Sequence, residues 1–146
     1  MRKIFSLLPI FLTAFLAACV NDGTAYDIRG DRQHSISVLR EQPFFWDKTV
    51  HFFVILSRMP DCTRRHEMAD GTPTSVIDVF QVPSGAYILQ LGSRYFAAEI
   101  ETCEGFAEIN DLNAQGEPKD GTGLYRGRFH TKDGAWTFTK AQDLQQ

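Results

Sequence analysis

The sequence predicts a mainly β fold, a small antiparallel β-sandwich or barrel of about seven or eight strands. Three observations lead there. Val50, Phe52, Val54 and Leu56 alternate with His51, Phe53, Ile55 and Ser57, the two-residue period of a strand. Turn formers punctuate the chain at short intervals, at Pro83-Ser84-Gly85, Gly92-Ser93 and Lys132-Asp133-Gly134. Past the first eighteen residues, only Phe106 to Leu112 has the pattern of a short helix.

Residues 1–18 stand apart from that β body. Arg2 and Lys3 precede an uncharged run from Ile4 to Ala18, interrupted only by Ser6, Pro9 and Thr13. A positive head and an apolar stretch of about fifteen residues is the layout of a secretory signal peptide. At 1.5 Å per residue the run falls short of about 30 Å of hydrocarbon, and Pro9 weakens it further as a span. It also lacks the polar face that a helix packed on a soluble core shows to water. Residues 19–33 then open with Cys19 and continue as VNDGTAYDIRGDRQ, polar, with two glycines and no period. A flexible tether is expected there. Its Arg29-Gly30-Asp31 spells the tripeptide that integrins recognise, and chance accounts for three such residues in a polar linker.

Residues 34–141 are expected to form a single β domain, and 142–146 a frayed polar tail. Ile36 and Val38 alternate with polar neighbours. Thr49 to Arg58 is β-branched and aromatic on both faces, which places a strand near the centre of its sheet. Val76 to Val82, Ala86 to Leu91 and Arg94 to Thr102 are joined by tight turns, so they form a three-strand antiparallel meander. Leu124 to His130 and Ala135 to Thr139 make a second hairpin, with Trp136 and Phe138 on one face. Sandwich and barrel stay open, because closure depends on register and shear.

The end of the apolar run places the chain in a cell. Leu16-Ala17-Ala18-Cys19 resembles the lipobox of bacterial lipoproteins, the pattern cut by the lipoprotein signal peptidase. The resemblance covers residues 1–19 only. It implies diacylglycerol on the Cys19 sulfur, cleavage before Cys19 and a further acyl chain on the new amino terminus. One chain holds a protein to a bilayer only marginally, whereas two or three hold it durably. In that family an Asp after the cysteine retains the product in the inner membrane. Val20 stands here, so the resemblance implies the outer membrane, with the periplasmic face favoured over the cell surface. Without Arg2 and Lys3 the overall charge of −3 becomes −5, and an acidic chain has no electrostatic reason to seek nucleic acid.

With Cys19 assigned to lipid, Cys62 and Cys103 remain in a compartment that permits oxidation. A Cys62–Cys103 disulfide is expected, closing a loop of about 42 residues and stabilising by roughly 4 kcal/mol on the chain-entropy model. Arg58, Arg64 and Arg65 flank one cysteine and Glu99, Glu101 and Glu104 the other, so the bridge brings opposite charges together.

Other constellations carry less chemistry. His34, His51, His66 and His130 have no metal-ligand spacing. Asp111, Asn113, Gln115 and Gly116 match the opening of a calcium loop, but Thr122 stands where a bidentate Glu belongs. Ser84 sits in a turn rather than a nucleophile elbow, and Glu99 with Glu101 has the spacing of salt-bridge partners. No catalytic residue, metal or cofactor is implied. Pro43-Phe44-Phe45-Trp46-Asp47 is the most suggestive stretch, because successive strand side chains alternate and three consecutive aromatics cannot share one face. Either a bend after Pro43 lets all three cap the core, or at least one is exposed as a binding anchor. Phe44, Phe45 and Trp46, rimmed by Arg64 and Arg65, are therefore the candidate partner-binding residues. The expected function is a noncatalytic binding or structural module of the bacterial envelope, meeting another envelope protein or a cell-wall component. A small lipoprotein inhibitor of a hydrolase such as lysozyme is the alternative, by fold-level analogy. A small periplasmic hydrolase comes third.

Overall fold

The alternating apolar positions resolve into ten strands in the computed structural model, which describes residues 20–44 and 46–145. The expected signal peptide, Cys19 and Phe45 lie outside the described residues. One sheet has the order β1 (Asn21–Asp27), β2 (His34–Glu41), β3 (Val50–Arg58), β4 (Cys62–Gly71). The other is built from β5 (Ile77–Gln81), β6 (Tyr87–Leu91), β7 (Arg94–Ala98), β8 (Phe106–Glu108), β9 (Leu124–Lys132) and β10 (Ala135–Lys140). Its order is β10-β9-β5-β6-β7-β8, and every pairing in both sheets is antiparallel. Neither sheet closes on itself. The fold is a two-sheet β-sandwich, not a barrel.

Three departures from the expected elements share a cause. Asn21–Asp27 lies within the expected tether, yet it pairs with β2 along its whole length, from Asn21↔Glu41 to Asp27↔Ser35. Backbone hydrogen bonds make it an edge strand although only Tyr26 is buried. Cys62–Gly71 is an equally polar edge strand on the far side of the same sheet. Phe106–Glu108 forms a short strand against β7 where a helix was expected. A strand at a sheet edge needs one apolar contact and a partner's backbone, so its sequence carries no strong period. Separately, the expected polar tail begins with a 3-10 turn over Ala141–Leu144.

The core follows from the pleat. Ile36 and Val38 from β2 and Val50, Phe52, Val54 and Leu56 from β3 are fully buried against Ile77, Val79, Leu89 and Phe129 of the opposite sheet. Each such side chain contributes about 1.5–3 kcal/mol when removed from water. The β1 and β10 edges meet through rings: Tyr26 stacks on Phe138 with centroids 4.6 Å apart and lies edge-on to Tyr87 at 6.1 Å. Burial pushes the Tyr87 phenol up to about 12, with the neighbouring Tyr26 adding to the effect.

One charged side chain points into this core. Arg40 is 4 % exposed, and its guanidinium makes a two-point contact with Asp22 at 2.8 and 2.7 Å. It also donates to the Pro73 carbonyl at 3.0 Å and to Thr131 Oγ1 at 2.9 Å, and lies 4.4 Å over the Trp136 ring. The Trp136 indole N–H donates to the Val38 carbonyl at 3.2 Å. Arg40 and Trp136 thus cross-link β1, β2, β9 and β10 through polar contacts inside the sandwich.

The opposite edge is stapled covalently. Cys62 of β4 and Cys103, between β7 and β8, form the expected disulfide with Cα atoms 6.0 Å apart. Beside it, His66 Nε2 donates to the Cys103 carbonyl at 2.7 Å and the imidazole stacks on Phe106 at 5.3 Å. The expected charge pairing occurs in part: Arg58 meets Glu101 at 2.8 Å and Arg64 meets Glu104 at 2.9 Å. Arg65 and Glu99 do not join it. Glu99 instead accepts from the Thr102 hydroxyl at 2.6 Å and the Thr102 N–H, which hold its carboxyl below the ordinary value.

Two stability outcomes follow. Asp22→Ala leaves Arg40 buried without its carboxylate and costs about 3 kcal/mol in urea unfolding; adding Arg40→Met recovers part of that loss, because a buried unpaired charge is worse than none. Asp22 is 41 % exposed, so Arg40→Met alone leaves a carboxylate that water can solvate and costs less than Asp22→Ala. Replacing Cys62 and Cys103 together by Ser lowers stability by up to about 4 kcal/mol, read as the difference in unfolding free energy from the oxidised protein.

Candidate functional site

The β2–β3 loop is shaped by one buried glutamine. Gln42 follows the last residue of β2, and its backbone N–H donates to the Val20 carbonyl at 2.7 Å. Its side-chain oxygen accepts from the Val20 N–H at 3.4 Å, while its amide nitrogen donates to the Asp47 carbonyl. A turn closes between these contacts, with the Asp47 N–H donating to the Phe44 carbonyl at 3.1 Å. Asp47 then accepts from the Thr49 N–H at 2.9 Å, and the Thr49 backbone and hydroxyl hold its carboxyl below the ordinary value. The loop is therefore tied at both ends and to the start of the described chain.

The aromatics ride on that frame. Phe44 is 52 % exposed and Trp46 is 68 % exposed, and their rings stack with centroids 5.0 Å apart at an interplanar angle of 17°. Of the two arrangements open from the sequence, capping of the core does not hold for Phe44 and Trp46. Two large apolar rings share a surface platform on the loop that Gln42 ties to Val20.

The outward face of the four-stranded sheet reaches the start of this loop at Glu41, the residue before Gln42. Gly23, Leu39, Phe53 and Glu67 lie in one row across the strands, and Ala25, Ser37, Ile55 and Arg65 in the next. Leu39, Phe53 and Ile55 remain partly open to solvent. Gly23 leaves room for this arrangement, since a Cβ there would stand 2.3 Å from the Leu39 side chain. The Arg65 guanidinium lies 3.9 Å over the Phe53 ring and meets Glu41 at 2.7 Å, which sets a charged pair across the apolar row.

The two candidate arginines are separated. Arg65 is on this outward face, whereas Arg64, one residue earlier, points the other way to Glu104 beside the disulfide. A rim made by both around the aromatics does not form.

The remaining candidates have local partners. His34 faces Asp31 at 3.3 Å, His51 faces Asp70 at 2.5 Å, and His130 Nε2 contacts Thr139 Oγ1 at 2.8 Å. Burial, then Arg128 and Lys132, hold the His130 imidazole below its ordinary value. Asp31 of the Arg-Gly-Asp triplet caps the β1–β2 turn, accepting from the Gln33 and His34 N–H groups at 3.1 and 3.0 Å. Asn113 accepts from the Gln115 and Glu117 N–H groups, and Asp111 pairs with Lys119. Among the described residues no group of three or more His, Cys, Asp or Glu gathers as for a metal ion, and no helix is long and apolar enough to cross a membrane.

One feature was not anticipated from the sequence. Ile88 and Ala97, on the outer side of the six-stranded sheet, floor a cleft of about 360 Å³ walled by Ile109, Pro118 and Lys119. No periodic signal marks it, because the 109–121 segment reads as an ordinary polar loop.

No family model matches the chain, and no match is found among curated proteins or solved structures.

Rings that stay more than half exposed contribute little to folding. Phe44→Ala and Trp46→Ala are each expected to change unfolding free energy by no more than about 1 kcal/mol, whereas Phe52→Ala costs about 3–5 kcal/mol; urea denaturation of the three variants checks the contrast.

Proposed function

We propose that the chain is a bacterial outer-membrane lipoprotein whose β-sandwich is a noncatalytic binding module, held at the periplasmic face by acyl chains on Cys19. The lipobox-like Leu16-Ala17-Ala18-Cys19 and the Cys62–Cys103 disulfide agree with an exported, oxidising destination. The partner is another envelope protein or a cell-wall component. Its contact surface is the outward face of the four-stranded sheet.

A single observation carries the choice of surface. Leu39, Phe53 and Ile55 stand together on that face, partly open to water, under an Arg65–Glu41 pair that spans them. Apolar area crossed by a charge pair is the composition of a recognition surface: the apolar part supplies energy and the charges fix orientation. Ser84, Glu99 and Glu101, read from the sequence as a turn residue and salt-bridge partners, show no such convergence. Ser84 lies in an exposed turn, and the two glutamates serve Thr102 and Arg58.

Intact mass and envelope fractionation test the anchor: the product begins at Cys19, carries diacylglycerol and a further acyl group, and sediments with outer membranes. Crosslinking in whole cells followed by pull-down tests the surface. Arg65→Glu is expected to lower recovery of the crosslinked partner about tenfold, on the order of 1.4 kcal/mol, while leaving the circular dichroism unchanged. Equal recovery from the Arg65→Glu protein removes this face as the contact.

A further inference from the structure

We infer that the Phe44–Trp46 platform is a second membrane contact, seated at the headgroup level of the same bilayer that holds the acyl chains. The inference rests on the anchoring of Cys19 proposed above. It departs from a protein-binding role for these rings and commits to lipid as their occupant.

The argument is one of placement. Cys19 is bonded to Val20, so their Cα atoms are about 3.8 Å apart. Val20 in turn is held by Gln42, backbone to backbone at 2.7 Å and through the Gln42 side-chain oxygen at 3.4 Å. The same glutamine amide binds the Asp47 carbonyl, one residue past Trp46. A single buried residue therefore ties Val20, the neighbour of the proposed lipid attachment, to the loop that carries the two rings. β1 begins at Asn21, so no free segment separates Val20 from the sheet. Acyl chains entering a bilayer from residue 19 bring this end of the sandwich against the interface.

The chemistry of that end suits an interface. A stacked Phe and Trp, both more than half exposed, present an apolar body with an indole N–H, the combination that collects at membrane–water boundaries. Lys48 is exposed beside them. The acidic side chains there already have donors: Asp22 meets Arg40, Glu41 meets Arg65, Asp70 meets His51 and Asp47 accepts from the Thr49 N–H. Asp22 and Glu41 are thus neutralised by arginines, and Lys48 offsets one of the two remaining carboxylates, Asp47 and Asp70, that headgroup phosphates would meet. Two or three acyl chains hold the protein by themselves. The rings instead set depth and orientation, and depth is what the experiment reads.

The full chain, produced with its own signal and purified in acylated form, is reconstituted into phosphatidylethanolamine–phosphatidylglycerol vesicles carrying brominated acyl chains at graded depths. The sequence has two tryptophans, and Trp136 is buried in the core, so lipid quenching reports Trp46. Roughly half of the emission is expected to be quenched, most strongly by bromines nearest the headgroup. The loss should vanish in Trp46→Phe. Acylated protein whose emission ignores brominated lipid but responds to aqueous iodide overturns the inference and leaves the anchor standing. Emission shielded from both quenchers also overturns it, because a second copy or a protein partner then covers the rings. Mass spectrometry showing an unmodified Cys19 overturns the anchor and this inference together.

Discussion

The sandwich depends on a charge placed where charges are rarely tolerated. Arg40 sits between the sheets, and burying a guanidinium is unfavourable unless every donor direction finds an acceptor. Here each guanidinium nitrogen finds an acceptor among Asp22, Pro73 and Thr131, and the Trp136 ring covers the face of the guanidinium. Each partner comes from a different part of the chain, so the cluster is complete only when β1, the β4–β5 connection and β9 are all in place. An apolar core accepts many packings of similar volume, whereas this cluster accepts one. The Trp136–Val38 hydrogen bond acts in the same sense, since it sets the height of β10 against β2.

The two long edges are secured by different means. On one side Tyr26, Phe138 and Tyr87 close the gap with rings. On the other the Cys62–Cys103 bridge does so, flanked by His66 on Phe106 and by the Arg58–Glu101 and Arg64–Glu104 pairs. Those pairs are solvent-exposed and contribute between nothing and about 1 kcal/mol each. The disulfide carries the energy on that edge, and the charges align it. Between the seams, the outward face of the four-stranded sheet stays available without weakening the core.

Much of this was legible in the residues. Val50, Phe52, Val54 and Leu56 announced a central strand because a strand buried on one face and half-buried on the other must be apolar at nearly every position. The β5–β6–β7 meander and the β9–β10 hairpin were marked by their turns. The cysteine pairing was legible by elimination and by flanking charge. What escaped were elements whose stability comes from a neighbour. β1, β4 and β8 are edge strands held by another strand's backbone, so composition did not distinguish Asn21–Asp27 from a linker. The separation of Arg64 from Arg65 was implicit in strand alternation, but only once Cys62–Gly71 was known to be a strand. The exposure of Phe44 and Trp46 turned on Gln42, whose three contacts reach residues that no local pattern connects to it.

Pairing Asn21–Asp27 with β2 also determines how far the sandwich can wander. A free coil of the fourteen residues from Val20 to Gln33 would let its cargo roam with a root-mean-square reach of about 20 Å. With β1 starting at Asn21, a body anchored through residue 19 as proposed would have almost no leash. Whatever it meets would find the near end at the mooring and the far end no further away than the sandwich is long.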